Sequence, residues 1–218
     1  MKPIIHWSHA GGPNPWKVAL IMEELGIPSE TKFLDFTQVK QEPYLSINPN
    51  GRLPAIEDPN TGITLWESGA IVEYLIEQYD KDNKLSYTDS TNKFHCKQWI
   101  HFQVSGQGPY YGQAFWFMNY ASEKIPFAIE RYQNEIRRVC GVLERALDGR
   151  EWLVGDKCTY ADLAFIAWQQ AIPMIFPGED FYAKFPKVKA WMDRMNARPA
   201  VQKITGERTA ARESAAKA

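Results

Sequence analysis

The hydrophobic pattern changes character near Tyr79. Before that point, short apolar runs alternate with helical stretches. Ile4–Trp7 reads as a strand and Ser8–Pro13 as a turn-rich loop. Trp16–Leu25 carries Val18, Ala19, Ile21, Met22 and Leu25 on or near one helical face, with Gly26 just past its end. Thr31–Phe36 is a second strand, and Thr37–Ser46 a polar, partly helical connection. Arg52–Ile56 and Ile63–Trp66 flank the turn residues Asp58–Gly62, a β-hairpin pattern, and Ala70, Ile71, Tyr74 and Leu75 follow at helical spacing.

Beyond Tyr79 no strand signal appears. Asp80–Thr91 is charged and without period, so residues 1–80 are expected to form an α/β domain, 81–91 a linker and 92–218 an all-helical domain. Asp89–Tyr120 is one long apolar pattern that Ser105-Gly106-Gln107-Gly108-Pro109 should kink or break. Pro126–Leu147 is amphipathic, Leu163–Ile172 is opened by Thr159-Tyr160-Ala161-Asp162, and Pro186–Asn196 is the last clear helix. Thr159 with Asp162 three residues on matches a capping box, which makes Asp162 a structural residue and not a catalytic acid. Arg198–Val201 starts a short terminal turn, and the Ala-rich tail Glu207–Ala218 either forms a helix or frays.

The chemistry concentrates between Asn48 and Leu75. Pro54 has no amide to give to a ladder, so it belongs at a strand entrance, an edge or a tight turn. An edge there would let Leu53 offer main-chain N–H and C=O to an extended peptide. Ser68 stands where a helix N-cap is expected, with unpaired amides and a positive dipole end that suit a carboxylate. Glu67 beside it suits a ligand ammonium through a charge-assisted hydrogen bond, although it would also favour the same dipole. Asn14 with Pro15 opens the first helix as N-cap and first helical residue. At that position an amide also stands where a thiolate would be stabilised. The aromatic group Tyr110, Tyr111, Phe115, Trp116 and Phe117 reads either as core or, in part, as the wall of an apolar pocket.

Composition narrows the class. The 218 residues are 44% hydrophobic and 13% aromatic, enough for two modest cores. With 25 basic against 26 acidic residues and a net charge of −1, there is no electrostatic case for nucleic acid or an acidic membrane surface. The start M-K-P-I-I-H-W has no apolar leader core, and no run is long enough to span a bilayer, so a cytoplasmic protein is expected. Cys96, Cys140 and Cys158 are odd in number and widely spaced, as reduced thiols are. The four histidines, His6, His9, His95 and His101, make no helical metal pair, so no metal is expected.

The runs N-P-N-G-R-L-P-A-I and L-W-E-S-G-A-I resemble the glutathione-binding half of the glutathione transferase superfamily. Similar segments, including E-E-L-G-I, S-G-Q-G-P-Y-Y-G-Q and W-L-V-G-D-K-C-T-Y-A-D-L-A-F, extend the likeness over nearly the whole chain, and the flanking text is most similar to fungal Ure2p-like transferases. The resemblance implies a thioredoxin-like domain followed by an all-α domain, glutathione as substrate, and a homodimer. It implies a glutathione site made of Gln41, Arg52, Leu53, Pro54, Glu67 and Ser68, with Gln41 and Arg52 toward the glycine end. It also implies Asn14 beside the sulfur as the catalytic group, and a co-substrate pocket to which Ser8, Tyr110, Tyr111 and Phe115 are assigned. Trp7, Ser8 and His9 are further candidates near the sulfur. The loop from Ser8 to Asn14 holds no cysteine, which argues against a mixed disulfide on the protein itself. Attack of the activated thiol on a small electrophile is the first expectation. Glutathione peroxidase or disulfide reductase activity, or a non-catalytic Ure2p-like regulator, are the alternatives. The absence of an Asn/Gln-rich segment ahead of Met1 favours the enzyme.

Overall fold

The computed structural model describes residues 1–217, which divide into two compact units, Met1–Ser86 with the described chain from Ala197 onward, and Tyr87–Asn196. The last residue of the expected tail, Ala218, lies outside the described residues. In the first unit the order is β1 (Ile4–Ser8), α1 (Pro13–Glu24), β2 (Ser29–Phe33), α2 (Tyr44–Ile47), β3 (Ala55–Asp58), β4 (Ile63–Trp66) and α3 (Ser68–Tyr79). The sheet runs β2-β1-β3-β4, with β1 and β2 parallel and the other neighbours antiparallel. This is the thioredoxin-like arrangement.

Strand alternation decides what each face holds. On one side Trp7 packs with Val39, Tyr44 and Ala55, and Leu53 joins that cluster. On the other, Ile4, His6 and Ser8 are buried with α1, whose Val18, Ile21 and Met22 are inaccessible to solvent. The hairpin is present, but β3 pairs with β1 as well as with β4 and is therefore not an edge strand. The free main chain lies just before it, at Leu53 and Pro54, whose peptide bond is cis.

The chain end departs most from its pattern. The expected short turn is a 17-residue helix, α10 (Pro199–Ala215), and it packs against α1 in the first unit instead of extending the helical domain. Val201, Ile204 and Arg208 form its buried stripe. Its entrance is tied by Arg198, whose Nε and Nη2 donate to the two carboxylate oxygens of Glu24 at 2.6 and 2.9 Å, while Lys84 Nζ lies 3.2 Å from Oε2. Burial alone would raise the Glu24 pKa, but these bonds outweigh it and lower the value. The fold therefore gains from ionised Glu24 above its ordinary pKa of 4.5 and loses that gain as pH falls through the lower folded value. Arg198→Met is expected to cost about 1–2 kcal/mol at neutral pH, between the values for exposed and buried pairs. Urea unfolding at pH 7 and pH 4 checks this, and Glu24→Gln should lose less stability than wild type on acidification.

The second unit contains α4 (Ser90–Phe102), α5 (Gly108–Asn119), α6 (Pro126–Ala146), α7 (Tyr160–Gln169), α8 (Ile172–Ile175) and α9 (Pro186–Asn196). The expected break before Pro109 is a π-helical turn, Gln103–Gln107, so the chain stays helical. Gln103 donates to Gln107 at 3.0 Å, and Gln107 donates to the Phe165 carbonyl at 3.2 Å, which satisfies these polar groups in the core. The three cysteines are free and buried, and burial pushes Cys96 and Cys140 up to about 11, so neither carries appreciable thiolate at neutral pH.

Candidate functional site

Register brings the candidate residues of the first unit to one end of the sheet. Ala55 pairs with Trp7 on one side and Trp66 on the other. The residue before Ala55 is Pro54, the residue after Trp66 is Glu67, and the residue after Trp7 is Ser8, so the three chains leave or enter the ladder together. The loop after β1 leads to α1, and the residue after β4 opens α3. Two helix openings and the Leu53-Pro54 main chain therefore meet at the same edge.

The Leu53 backbone is held from behind. The Arg52 carbonyl accepts hydrogen bonds from Tyr44 Oη and Asn48 Nδ2, both at 2.6 Å, and Asn48 Oδ1 accepts from the Asn50 amide at 3.0 Å. Gly51 sits at φ +57°, where a Cβ would lie 2.7 Å from the Val39 carbonyl oxygen, so the loop requires glycine. The Arg52 side chain is exposed, Leu53 is half-buried and Pro54 is buried.

At α3 the N-cap is Glu67, and Ser68 is the first helical residue, which corrects the reading of Ser68 as the cap. Glu67 holds φ 70° and ψ 112° with no side-chain cap bond. A non-glycine residue in such a region costs on the order of 1–3 kcal/mol and persists only where the surrounding structure holds it there. Its side chain is exposed, while Ser68 is buried. The Ile71 amide bonds back to the Glu67 carbonyl at 2.9 Å, so the amides of the preceding first turn point outward from the helix end.

The α1 opening also differs from its pattern. Gly12 is the N-cap, Pro13 the first helical residue, and Asn14 lies inside the first turn. Pro13 and Pro15 have no N–H, so Asn14 and Trp16 supply the backbone donors there. The approach loop is fixed at several points. Trp16 Nε1 donates to the carbonyls of His9 and Ala10 at 3.1 and 3.0 Å, the Gly11 amide donates to His9 Nδ1 at 3.0 Å, and Arg208 Nη2 of α10 donates to the Gly11 carbonyl at 3.1 Å. The His9 ring stacks on Phe36 at 4.1 Å.

Other assigned residues are more dispersed. Gln41 is exposed and its amide donates to the Gln38 carbonyl at 3.1 Å. Trp7 donates through Nε1 to Glu57 at 2.7 Å on the α2 face, away from the α1 opening. Ser8 is fully buried beneath α1. In the helical unit, Tyr111 is fully buried with its hydroxyl 3.2 Å from Cys140 Sγ, which makes it core and removes it from the pocket wall. Tyr110, one residue earlier and turned about 100° around the helix, is half-buried against Tyr132 with Arg138 over its ring. Phe115 is half-buried against Tyr120.

Lys17 escaped the sequence reading. It lies wholly buried in α1, burial brings its pKa down to about 7, and the charge of Glu67 opposes that shift. The signal was a lysine among the apolar positions of an amphipathic helix. Glu67, the strained residue at α3, is the charge that favours the protonated form of Lys17. Among the described residues there is no group of three or more His, Cys, Asp or Glu fit for a metal, and no helix long and apolar enough to cross a membrane.

The glutathione S-transferase N-terminal domain matches residues 2–77, and the glutathione S-transferase C-terminal domain matches residues 116–199. The glutathione S-transferase-like protein gedE of Aspergillus terreus is 53% identical over 214 residues, covering 93% of this chain and 94% of the relative. Glutathione S-transferase 2 of Schizosaccharomyces pombe is 44% identical over 222 residues, covering 95% and 96%. Among solved structures, the glutathione transferase URE2P6 from Phanerochaete chrysosporium in complex with oxidized glutathione superposes with a TM-score of 0.93 at 46% identity, covering 96% of this chain and 98% of that one.

Proposed function

The chain belongs to the glutathione S-transferase family, and from that premise we propose that it binds glutathione and activates its thiol for attack on small electrophiles. The observation that carries this reading is the convergence at one sheet end of the pinned Leu53-Pro54 main chain, the strained Glu67 at the α3 opening, and Asn14 in the first turn of α1. In this reading the γ-glutamyl end lies on Glu67 and Ser68. The ligand ammonium meets the Glu67 carboxylate, and the α-carboxylate meets the first amides of α3. The cysteinyl main chain pairs with Leu53, and the glycine carboxylate faces Arg52 and Gln41.

The sulfur then stands at the α1 opening. Because two of the first residues there are prolines, the Asn14 amides are the donors nearest the helix end, and they favour the thiolate over the thiol. The thiolate attacks an electrophilic carbon, and the leaving group departs with its bonding pair. The protein supplies placement and electrostatics to this step. Tyr110 and Phe115 are proposed for the co-substrate wall. A homodimer in the cytoplasm is the accompanying expectation.

Turnover decides between this function and its alternatives. Calorimetry with glutathione should give binding, and 1-chloro-2,4-dinitrobenzene, a hydroperoxide and a glutathione mixed disulfide are then offered as co-substrates. Consumption of the chlorinated arene supports the transferase. Oxidized glutathione in the URE2P6 structure favours the mixed disulfide as the second substrate class to test. Binding without turnover of any of the three leaves a binding or regulatory protein. For Asn14→Ala, the pKa of bound glutathione is expected to rise by about 1–2 units, the equivalent of one hydrogen bond to a charged group. Thiolate absorbance against pH reads it, and a curve superimposable on wild type would leave Asn14 a structural residue of the helix opening.

A further inference from the structure

A cavity lies within the first unit. It measures ≈ 580 Å³, inside the range of roughly 300–1,000 Å³ in which small-molecule sites fall. Its three walls follow from the register and the helical spacing. The parallel pairing places Thr31 beside His6 and Phe33 beside Ser8, so all four line one face of the β1–β2 ladder. α1 contributes Trp16, Ala19 and Glu23, a single stripe. α10 contributes the stripe through Ile204, Glu207 and Ala211.

The floor is chemically unfinished. Both ring nitrogens of His6 and the Ser8 hydroxyl are buried without a hydrogen-bond partner, at 1% and 0% residue exposure. Buried polar groups in folded proteins are ordinarily satisfied, and each orphan is costly. Burial lowers the His6 pKa to about 4, so its imidazole is neutral at physiological pH and offers one N–H donor and one bare nitrogen acceptor. The Ser8 hydroxyl both donates and accepts. The Trp16 and Phe33 rings, 6.1 Å apart between centroids, make an aromatic wall. Among the described lining residues the cation at the rim, Lys203, is already bonded to Glu23 at 2.7 Å, and Glu207 adds negative charge. An anion is therefore disfavoured.

We propose that this cavity is a binding site for a neutral hydroxylated aromatic compound, whose ring lies against Trp16 and Phe33 and whose hydroxyl completes the hydrogen bonding of His6 and Ser8. The cavity lies on the β2 side of β1, whereas Leu53 and Glu67 flank β3 and β4 on its other side. It depends on α10, which supplies the wall that α1 does not.

The test uses 2-naphthol as probe, titrated by fluorescence into the full chain with S-hexylglutathione present in excess. Saturable binding of one equivalent is expected, insensitive to the glutathione derivative. The ring nitrogen resonances of His6 should shift on binding in ¹⁵N spectra. His6→Phe should weaken binding by about tenfold or more, the equivalent of a lost hydrogen bond to a buried group. Ala211→Trp, which fills the cavity from a surface helix and leaves β1 intact, should weaken it as much. Should His6→Phe fail to fold, or the chain take no S-hexylglutathione, Ala211→Trp and the His6 resonances still read the cavity. Displacement of 2-naphthol by S-hexylglutathione, unchanged affinity in Ala211→Trp, or unmoved His6 nitrogens would each overturn the proposal.

Discussion

Asp162→Ala is expected to destabilise the helical unit by roughly 3–5 kcal/mol, the range for breaking a buried charged network. The carboxylate is fully buried, and four donors converge on it. Oδ2 accepts from the Thr159 amide at 2.8 Å and from Thr159 Oγ1 at 2.9 Å, closing the capping box of α7. Oδ1 accepts from the Leu153 amide and from Trp191 Nε1, both at 2.9 Å. One side chain therefore ties the loop before α7, the first turn of α7 and the centre of α9. Truncation leaves those donors buried and unpaired, each costing on the order of 1–3 kcal/mol before the structure relaxes. Burial raises the pKa of Asp162 and the four donors oppose that rise. Asp162→Asn keeps the volume but turns one acceptor into a donor facing other donors, so it should recover only part of the loss. Chemical denaturation checks both variants, and a change below about 1 kcal/mol for Asp162→Ala would show that the network is dispensable.

That capping box was readable from Thr159 and Asp162, whereas the two helix openings at the candidate site were misread, for a shared reason. Residue-type logic favours Ser and Asn as caps. At α1 the cap is Gly12, because Pro13 presets the first helical φ and moves the start one residue before Asn14. At α3 the cap is Glu67, in a backbone conformation that no local preference selects. Local rules yield where a site constrains the chain. The element order up to Tyr79 was legible because alternation and helical period differ there. The interior position of β3 was not legible, since a hairpin pattern does not reveal what pairs with its outer edge. Tyr110 and Tyr111 are adjacent in an aromatic run, and only the helix phase separates a core ring from a half-buried one. α10 was hidden because its stripe is short, with two aliphatic residues and the buried arginine Arg208 among alanines and charges. The His6–Ser8 cavity requires that helix, so it too was beyond the reach of the sequence.

Glu67→Gln is expected to weaken glutathione binding by about 1.5–3 kcal/mol, roughly 10- to 150-fold, as the charge-assisted bond to the ligand ammonium becomes a neutral one. The backbone complicates a simple alanine scan. At φ 70° and ψ 112° an alanine keeps the strain and loses the carboxylate, whereas glycine releases the strain and loses the carboxylate as well. Glu67→Gly should therefore bind as weakly as Glu67→Ala while unfolding at higher denaturant. A binding effect that follows the stability difference instead would assign Glu67 to backbone geometry alone. Any change at this position also alters the surroundings of buried Lys17, for which Glu67 is the opposing charge. Lys17→Met together with Glu67→Gln then separates the two effects, because restored stability without restored binding would place the ammonium contact on Glu67 itself. Ser68→Ala, at the first residue of α3, should cost about 1–3 kcal/mol of binding through the α-carboxylate. Calorimetric dissociation constants equal to wild type in both Glu67→Gln and Ser68→Ala would remove the α3 opening from the site and, with it, the orientation proposed for the tripeptide.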